Sequence, residues 1–250
     1  LEQRIQDITG AKHAIAVSNG TVGLQVALFL AGVEYGDEVI VPAITFVASA
    51  NCALYCGASV DFVDIDPATF NMSVSALETK LEQAERAGTL PKIVVPVHMC
   101  GQSCDMEAIY RLSKKYGFRV IEDASHAIGG RYRGENIGNC RYSDIAIFSF
   151  HPVKIITSAE GGMALTNDPA LAQAMDLLRS HGITRNPGLM TQPADGPWYY
   201  QQIKLGFNYR MTDLQAALGL SQMSRLDGYV SRRHEIVRRY NETLAHLPLA

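Results

Sequence analysis

The alternation of short β-rich runs with helical stretches constrains the fold of this sequence more than any other feature. This order predicts an α/β fold with a mainly parallel sheet, because helices make the crossovers between parallel strands. Several runs lack in–out alternation, as expected when helices cover both faces of the sheet. The strand-forming runs are residues 13–17, 37–42, 59–65, 92–98, 118–125 and 144–150.

The C-terminal part of the sequence has a different pattern. Residues 212–250 read as almost entirely helical, with Thr212 or Asp213 as the N-cap and a break between two helices at Gly228. Residues 185–200 are rich in Pro and Gly and predict a long loop, and long ordered loops often have a function.

Charge and composition argue against several classes of partner. The 22 basic and 25 acidic residues are well mixed, and no basic run is interleaved with aromatic residues, so we expect no nucleic-acid partner. No apolar stretch approaches the ~20 residues of a membrane span, and the N-terminal residues do not resemble a signal peptide. The five cysteines, an odd number, favour the reducing cytoplasm.

The cluster of His98, Cys100 and Cys104 superficially suggests a zinc site. Structural zinc needs four ligands, usually in two paired clusters, and the sequence offers no second cluster. Buried free thiols are the better interpretation, so no metal is expected.

The segment "VSNGTVGLQVAL" (17–28) places a glycine-containing turn between a strand and a helix. The free N–H groups at the start of this helix and the hydroxyl of Thr21 suit a phosphate. An ordinary N-cap without a ligand is the alternative, and the segment is neither a Walker loop nor a Rossmann fingerprint.

Three further features follow predicted strands. Glu122 and Asp123 end an apolar strand, so at least one carboxylate should face the crevice, with His126 close by. Lys154 stands alone in the apolar segment "SFHPVKIITSAEGG" (149–162), where partial burial would free its amine for Schiff-base chemistry. Phe46 follows a strand end and could cover a planar ring. The alternatives are a capping acid, a surface lysine and a core aromatic residue.

Together these groups describe a site for pyridoxal 5′-phosphate (PLP). They also carry a resemblance to the DegT/DnrJ/StrS-type sugar aminotransferases, which have the aspartate-aminotransferase fold (fold type I). Lys154, Thr157 and the sequence Glu160-Gly161-Gly162 are its strongest element, although Ala159 stands where many members have Gly. The resembling segments are "AVSNGTVGL", "VIVPAITFVASAN", "VIEDASHAIGG", "SFHPVKIITSAEGG" and "LGFNYRMTDLQAALGLSQMSRLD".

The resemblance implies a fold type I large domain with a mainly parallel seven-stranded sheet covered by helices. Residues 1–225 would form this PLP-binding domain. Residues 226–250 would form a linking helix and the start of a C-terminal small domain. An N-terminal segment and the rest of the small domain are expected to lie outside the chain.

The resemblance also implies roles for individual residues. Lys154 would bind PLP and transfer a proton, and Asp123 would pair with the pyridine nitrogen. Asn208 would reach the phosphate of the other subunit's cofactor, so a homodimer with shared active sites is expected. The remaining cofactor-binding residues would be Gly20, Thr21, Val22 and Ser149 at the phosphate, Phe46 on one ring face and His126 at the ring edge.

The expected reaction transfers an amino group from an amino acid, glutamate by expectation, to the 4-keto group of a nucleotide-linked 4-keto-6-deoxy sugar. The sequence looks most like the branch that aminates a UDP-4-keto-6-deoxy-N-acetylhexosamine in pseudaminic-acid biosynthesis. Another nucleotide-4-ketosugar is the alternative substrate, and a non-catalytic regulator on the same fold is the alternative function. Relatives that deoxygenate sugars replace the lysine with histidine, so Lys154 favours amino transfer. The absence of G-x-G-x-x-G after any strand disfavours a nicotinamide-dependent enzyme.

Overall fold

The computed structural model describes residues 1–248 and is built around one large sheet. Its strands, together with two short two-stranded ladders, are β1 (His13–Val17), β2 (Glu38–Pro42), β3 (Ser59–Val63), β4 (Ile93–Val94), β5 (Arg119–Asp123), β6 (Arg131–Tyr132), β7 (Glu135–Asn136), β8 (Ile145–Ser149), β9 (Gly162–Thr166), β10 (Ile183–Thr184) and β11 (Gln201–Gln202).

The seven-stranded sheet has the order β1-β9-β8-β5-β4-β2-β3. β9 runs antiparallel to both of its neighbours, and the other strands share one direction. The sheet is therefore mainly parallel, and the predicted α/β fold with seven strands is confirmed.

Helices cover both faces of this sheet. They are α1 (Glu2–Thr9), α2 (Gly20–Leu30), α3 (Ala48–Tyr55), α4 (Val74–Ala87), α5 (Met106–Tyr116), α6 (Pro169–Arg179), α7 (Asp213–Met223) and α8 (Leu226–Leu244). Within residues 1–248, none of the helices combines the length and the apolarity that a membrane span requires.

The core is divided between the two faces because side chains alternate along each central strand. In β8, Ile145 and Ile147 pack with residues of α2, α3 and α6. Ala146 and Phe148 of the same strand face the other way and pack with residues of α1 and α7. A third cluster places α4 and α5 against β2, β4 and β5. Two-sided burial explains why these strands read as continuous apolar runs.

Several predicted elements differ from the structure. The run 92–98 forms a continuous ladder only at Ile93–Val94, because Pro96 has no N–H to continue it, and pairing resumes as an isolated bridge between Val97 and Asp123. The helix break predicted at Gly228 is wrong: α7 ends at Met223 and α8 begins at Leu226, so Gly228 lies inside α8. Thr212 is the N-cap of α7, and with Gln215 it forms a capping box.

The topology brings the predicted site residues to one edge. β5 ends at Asp123 and β8 ends at Ser149, and the two strands are parallel neighbours with Asp123 opposite Ile147. In open α/β sheets ligands bind beyond the carboxyl ends of such strands.

Candidate active site

A cavity of about 1090 Å³ opens at this edge of the sheet. The first turn of α2, the residues after β5 and the residues after β8 form its walls. Asn208 is not among its lining residues in this chain. The sequence-predicted residues that line it are Gly20, Thr21, Val22, Phe46, Asp123, His126, Ser149 and Lys154.

The start of α2 forms one end of the cavity. Asn19 is the N-cap, and its Oδ1 accepts a hydrogen bond of 2.9 Å from the Val22 N–H. The cap therefore already uses the Val22 N–H in this chain, and the predicted role of Val22 toward a phosphate stays a prediction. The N–H groups of Gly20 and Thr21 belong to the first turn and have no acceptor within the helix.

Gly20 allows α2 to approach the end of β8 closely. A Cβ atom built on Gly20 would lie 3.0 Å from Ser149 Cβ, 3.3 Å from Ser149 Oγ and 3.6 Å from Ser125 Oγ. Two hydroxyl groups and a helix N-terminus thus converge where Gly20 has no side chain. This arrangement is suited to an anion such as a phosphate group.

Asp123 is a buried carboxylate that lines the cavity, with only 4% of its surface exposed. The Ser49 hydroxyl donates to Oδ2 at 2.9 Å, and the Ser125 N–H donates to Oδ1 at 3.1 Å. Both oxygens therefore have a donor, as a buried carboxylate requires.

Glu122 points away from the cavity, so Asp123 is the acid of this pair that faces the crevice. The Glu122 carboxylate contacts His98 Nε2 at 3.0 Å and accepts a hydrogen bond from Ser143 Oγ at 3.0 Å. His98 Nδ1 accepts a hydrogen bond from the Cys104 N–H. Both ring nitrogens of His98 are thus engaged within the protein, while Cys100 is exposed.

Lys154 reaches the cavity from the segment that follows β8, where its N–H donates to the His151 carbonyl at 2.9 Å. Burial lowers the pKa of the Lys154 amine, and the negative charge of Asp123 opposes this shift. A larger fraction of the amine is therefore unprotonated at neutral pH than for an exposed lysine.

His126 belongs to the same electrostatic cluster. Burial lowers its pKa, the positive charge of Lys154 lowers it further, and Asp123 opposes both effects. His126 is therefore favoured as a neutral imidazole beside the amine and the carboxylate. Phe46, at the mouth of the cavity, keeps 67% of its surface exposed.

The end of the lysine segment has an unusual backbone. Ala159 has a φ angle of +66°, in the left-handed region that favours glycine. This geometry explains why glycine suits the position that Ala159 occupies. Gly161 is also closely surrounded, because a Cβ atom there would meet Ser158 Oγ and the end of the Met211 side chain, both of which would have to shift.

Asn208 lies outside the cavity in this chain, at an exposed position bridged to Ser180. Its neighbour Tyr209 lines the cavity instead, and the Tyr209 hydroxyl donates to Gln25 Oε1 at 3.3 Å. The predicted role of Asn208 toward a second subunit stays a prediction.

Sequence reasoning missed several residues of the site, among them Ser49, Ser125, Gln25 and Tyr209. Ser125 follows Asp123 by two residues, so the β5 end could have identified it. Ser49 offers no comparable signal, because a serine in an apolar helix has no motif that predicts its partner.

The segments that form this cavity also account for a match to known proteins. The sequence matches the DegT/DnrJ/EryC1/StrS aminotransferase family over residues 1–250. The chain belongs to this family. The resemblance noted in the sequence is thereby confirmed, together with the fold type I architecture.

Individual DegT-family proteins are similar over almost the whole chain. GDP-perosamine synthase of Caulobacter vibrioides is 44% identical over 246 residues, which are 98% of this chain and 61% of that protein. Helicobacter pylori PseC, an aminotransferase involved in the biosynthesis of pseudoaminic acid, has a TM-score of 0.87 at 30% identity, over 99% of this chain and 62% of PseC. The PLP form of the Streptococcus pneumoniae protein Spr1654 has a TM-score of 0.82 at 29% identity, over 98% of this chain and 63% of that one. The chain thus spans about three fifths of the length of these proteins.

PLP is the cofactor of the aminotransferases in this family, and the residues of the cavity fit it. The α2 N-terminus, with Gly20 and the hydroxyl of Ser149, offers an anion site of the kind a phosphate needs. Asp123 offers a buried carboxylate for the ring nitrogen, and Lys154 offers an amine whose pKa is lowered. These three groups lie on different walls of one cavity.

Proposed function

We propose that this protein is a PLP-dependent aminotransferase that moves an amino group from an amino acid, glutamate in the first instance, to the 4-keto group of a nucleotide-linked 4-keto-6-deoxy sugar. The observation that carries the proposal is the convergence of Lys154, Asp123 and the α2 N-terminus on one cavity. Membership of an aminotransferase family supports the reaction class.

When bound, PLP withdraws electrons from the carbon that carries the amino group, so that this carbon can lose a proton. Lys154 Nζ would be the base that accepts this proton and the acid that donates it again. Its lowered pKa favours the unprotonated amine that this step needs. Asp123 would pair with the ring nitrogen and favour its protonated form, because a carboxylate stabilises a cationic partner.

The other residues bind and orient the cofactor. The N–H groups of Gly20 and Thr21 and the hydroxyl of Ser149 bind the phosphate. Phe46 would cover one face of the ring, and His126 would lie near its edge. We include Ser125 in the phosphate site, since its Oγ would lie 3.6 Å from a Cβ atom on Gly20.

We further propose a homodimer with shared active sites. Asn208 is exposed beside the cavity-lining Tyr209, so a partner's phosphate could reach it. Three apolar side chains that are close to Asn208 in the sequence are largely exposed in the single chain: Trp198 at 68%, Leu205 at 82% and Leu214 at 85%. Aromatic and apolar groups of this kind are enriched in interfaces.

The cavity volume of about 1090 Å³ supports a substrate larger than an amino acid, since typical small-molecule pockets hold roughly 300–1,000 Å³. Two nucleotides are candidates for the group that carries this sugar. The likeness to PseC favours a UDP-4-keto-6-deoxy-N-acetyl-altrosamine type of acceptor, as in pseudaminic-acid biosynthesis. The 44% identity to GDP-perosamine synthase favours a GDP-linked sugar. Five unpaired cysteines support the cytoplasm as the location.

A screen of the purified, PLP-loaded protein tests this function. Glutamate is supplied with UDP-linked and GDP-linked 4-keto-6-deoxy sugars, and the mass of the aminated product is measured. Amination of either sugar supports the proposal and identifies the nucleotide. Tight PLP binding without amination of any sugar would contradict it and favour the regulator on the same fold.

A further inference from the structure

We propose that Ser49 is a positioning residue, which orients the Asp123 carboxylate toward the ring nitrogen of PLP as the last donor of a hydroxyl chain that begins at Thr45. The inference rests on the proposed function, because it takes PLP as the occupant of the cavity. The sequence predicts no role for Thr45 or Ser49, and the geometry assigns them one.

The contact between Ser49 and Asp123 is almost entirely buried. Ser49 is 0% exposed and Asp123 is 4% exposed, and Ser49 Oγ donates to Asp123 Oδ2 at 2.9 Å. Hydrogen bonds to an ionised acceptor are stronger than those between neutral groups, and water cannot replace this one. The Ser125 N–H holds the other oxygen at 3.1 Å, so two donors from different elements fix the plane of the carboxylate.

Thr45 extends this contact into a directed chain. Its Oγ1 lies 2.8 Å from Ser49 Oγ. Ser49 has one hydroxyl proton, which it donates to Asp123, so the proton in the contact with Ser49 comes from Thr45 Oγ1, which also lies 3.3 Å from the Phe46 carbonyl oxygen. Donation to Ser49 Oγ polarises its O–H bond and strengthens the bond to the carboxylate.

The segment that carries these two hydroxyl groups also links two parts of the proposed site. Phe46 lies between Thr45 and Ser49 in the sequence and lines the cavity mouth. The segment 45–49 therefore carries both the proposed ring cover and the donor to the proposed partner of the ring nitrogen. A carboxylate that is free to rotate would lose alignment with a planar ring, whereas Ser49 fixes it before the cofactor binds.

The test measures the dissociation constant of PLP and the visible circular dichroism of the bound cofactor. Ser49→Ala removes one oxygen atom from the core and should weaken PLP binding about tenfold, as expected for a lost hydrogen bond to a charged group. It should also change the dichroism, which reports the orientation of the ring. Thr45→Val should cause a smaller change in the same direction. Ser113→Ala is the matched control, because Ser113 is also buried but donates to Tyr110 in α5.

A double-mutant cycle separates positioning from packing. In an Asp123→Ala background, Ser49→Ala should cause no further loss of PLP affinity, because its effect passes through the carboxylate. An equal loss in both backgrounds would overturn the proposal, as would an unchanged affinity and spectrum for Ser49→Ala. If the parent binds PLP and Asp123→Ala weakens binding, the proposed cofactor site holds even when Ser49→Ala has no effect. If the parent binds no PLP, the proposed function itself fails.

Discussion

Gly162 lies so close to Asn19 that a Cβ atom built on it would sit 2.6 Å from the Asn19 carbonyl carbon and 2.8 Å from the Gly20 nitrogen. Gly162 pairs with Val17 of β1 on one side and with Ser149 of β8 on the other. The backbone at the start of β9 therefore supports the α2 N-terminus, and only glycine allows the two to approach this closely.

Gly162→Ala should displace the start of α2 and lower the affinity for PLP at least tenfold. The clash is with backbone atoms, which cannot rotate away, so a stability loss of about 1–3 kcal/mol should accompany it. Gly228→Ala is the control, because a Cβ atom there meets no atom within 4 Å and Gly228 lies inside α8. Cofactor titration and thermal unfolding of both variants measure the difference. Parental PLP affinity in Gly162→Ala would contradict this account of the phosphate site.

Lys154→Ala should abolish amino transfer and covalent retention of PLP after borohydride treatment, while the fold remains. The change removes an amine and opens no large core cavity, because Lys154 is only partly buried. Absorption in the visible and mass spectrometry of the reduced protein check the outcome, with the exposed Lys12→Ala as control. Near-parental turnover in Lys154→Ala would disprove its role.

Asp123→Asn should keep some PLP but lose most activity, because a neutral amide no longer favours the protonated ring. A loss of about 3 kcal/mol of stabilisation slows the step roughly 100-fold. The amide oxygen can still accept from Ser49 or Ser125, so the fold should persist. Turnover rates are compared with those of Asp7→Asn, an exposed acid on α1. Unchanged turnover would reduce Asp123 to a structural role.

A mixture of Lys154→Ala and Asn208→Asp subunits should regain activity when each variant alone is inactive. The added carboxylate of Asn208→Asp should repel the partner's cofactor phosphate. In a mixed dimer one site carries both changes and the other carries neither. Activity should therefore return, up to about half of the parental value per mixed dimer.

Subunit exchange must be verified by mass for this experiment to be decisive. If exchange occurs and no activity returns, Asn208 acts within its own subunit, and the shared-site proposal fails. As a control, Lys154→Ala protein alone is taken through the same exchange procedure, to show that the procedure itself restores no activity.

Ala159→Gly should stabilise the protein, because Ala159 has a left-handed φ of +66°. Relief of this conformation is worth about 1 kcal/mol, or a rise in Tm of about 2–4 °C for a chain of this size. Ala84→Gly, within the right-handed helix α4, should be destabilising instead. Thermal unfolding of both variants gives the sign, and a lower Tm for Ala159→Gly would show that strain is absent.

The hydrophobic pattern of the sequence predicted much of the sheet, but not where a strand is cut short or where one helix ends and the next begins. The strand predicted at residues 13–17 matches β1, whose apolar run is almost entirely buried. Pro96 truncated a predicted strand, and the break expected at Gly228 occurs three to four residues earlier, at Ser224–Arg225. A glycine inside a long helix costs about 1 kcal/mol, which packing of the helix can offset.

The residues of the site likewise divide into those that the sequence predicts and those that it does not. Lys154, Asp123 and Gly20 could be predicted because each follows a recognisable strand or opens a helix. Ser49 could not, because its contact with Asp123 joins residues that are distant in sequence and depends on the packing of α3. The use of the Val22 N–H by Asn19 is likewise a matter of cap geometry, which the residue types alone leave open.

The position of β9 also bears on how the chain folds as it is synthesised. Every ladder partner of β1 lies in β9, with His13 opposite Thr166. β1 therefore leaves the ribosome before its partner strand β9 has been synthesised. It stays unpaired, followed by α2, until β9 emerges. Pairing across such a separation is slow, and the unpaired apolar strand is exposed to aggregation meanwhile. Because β9 also supports the α2 N-terminus, the anion site forms only when the sheet closes, and capture of PLP would mark the end of folding rather than guide its beginning.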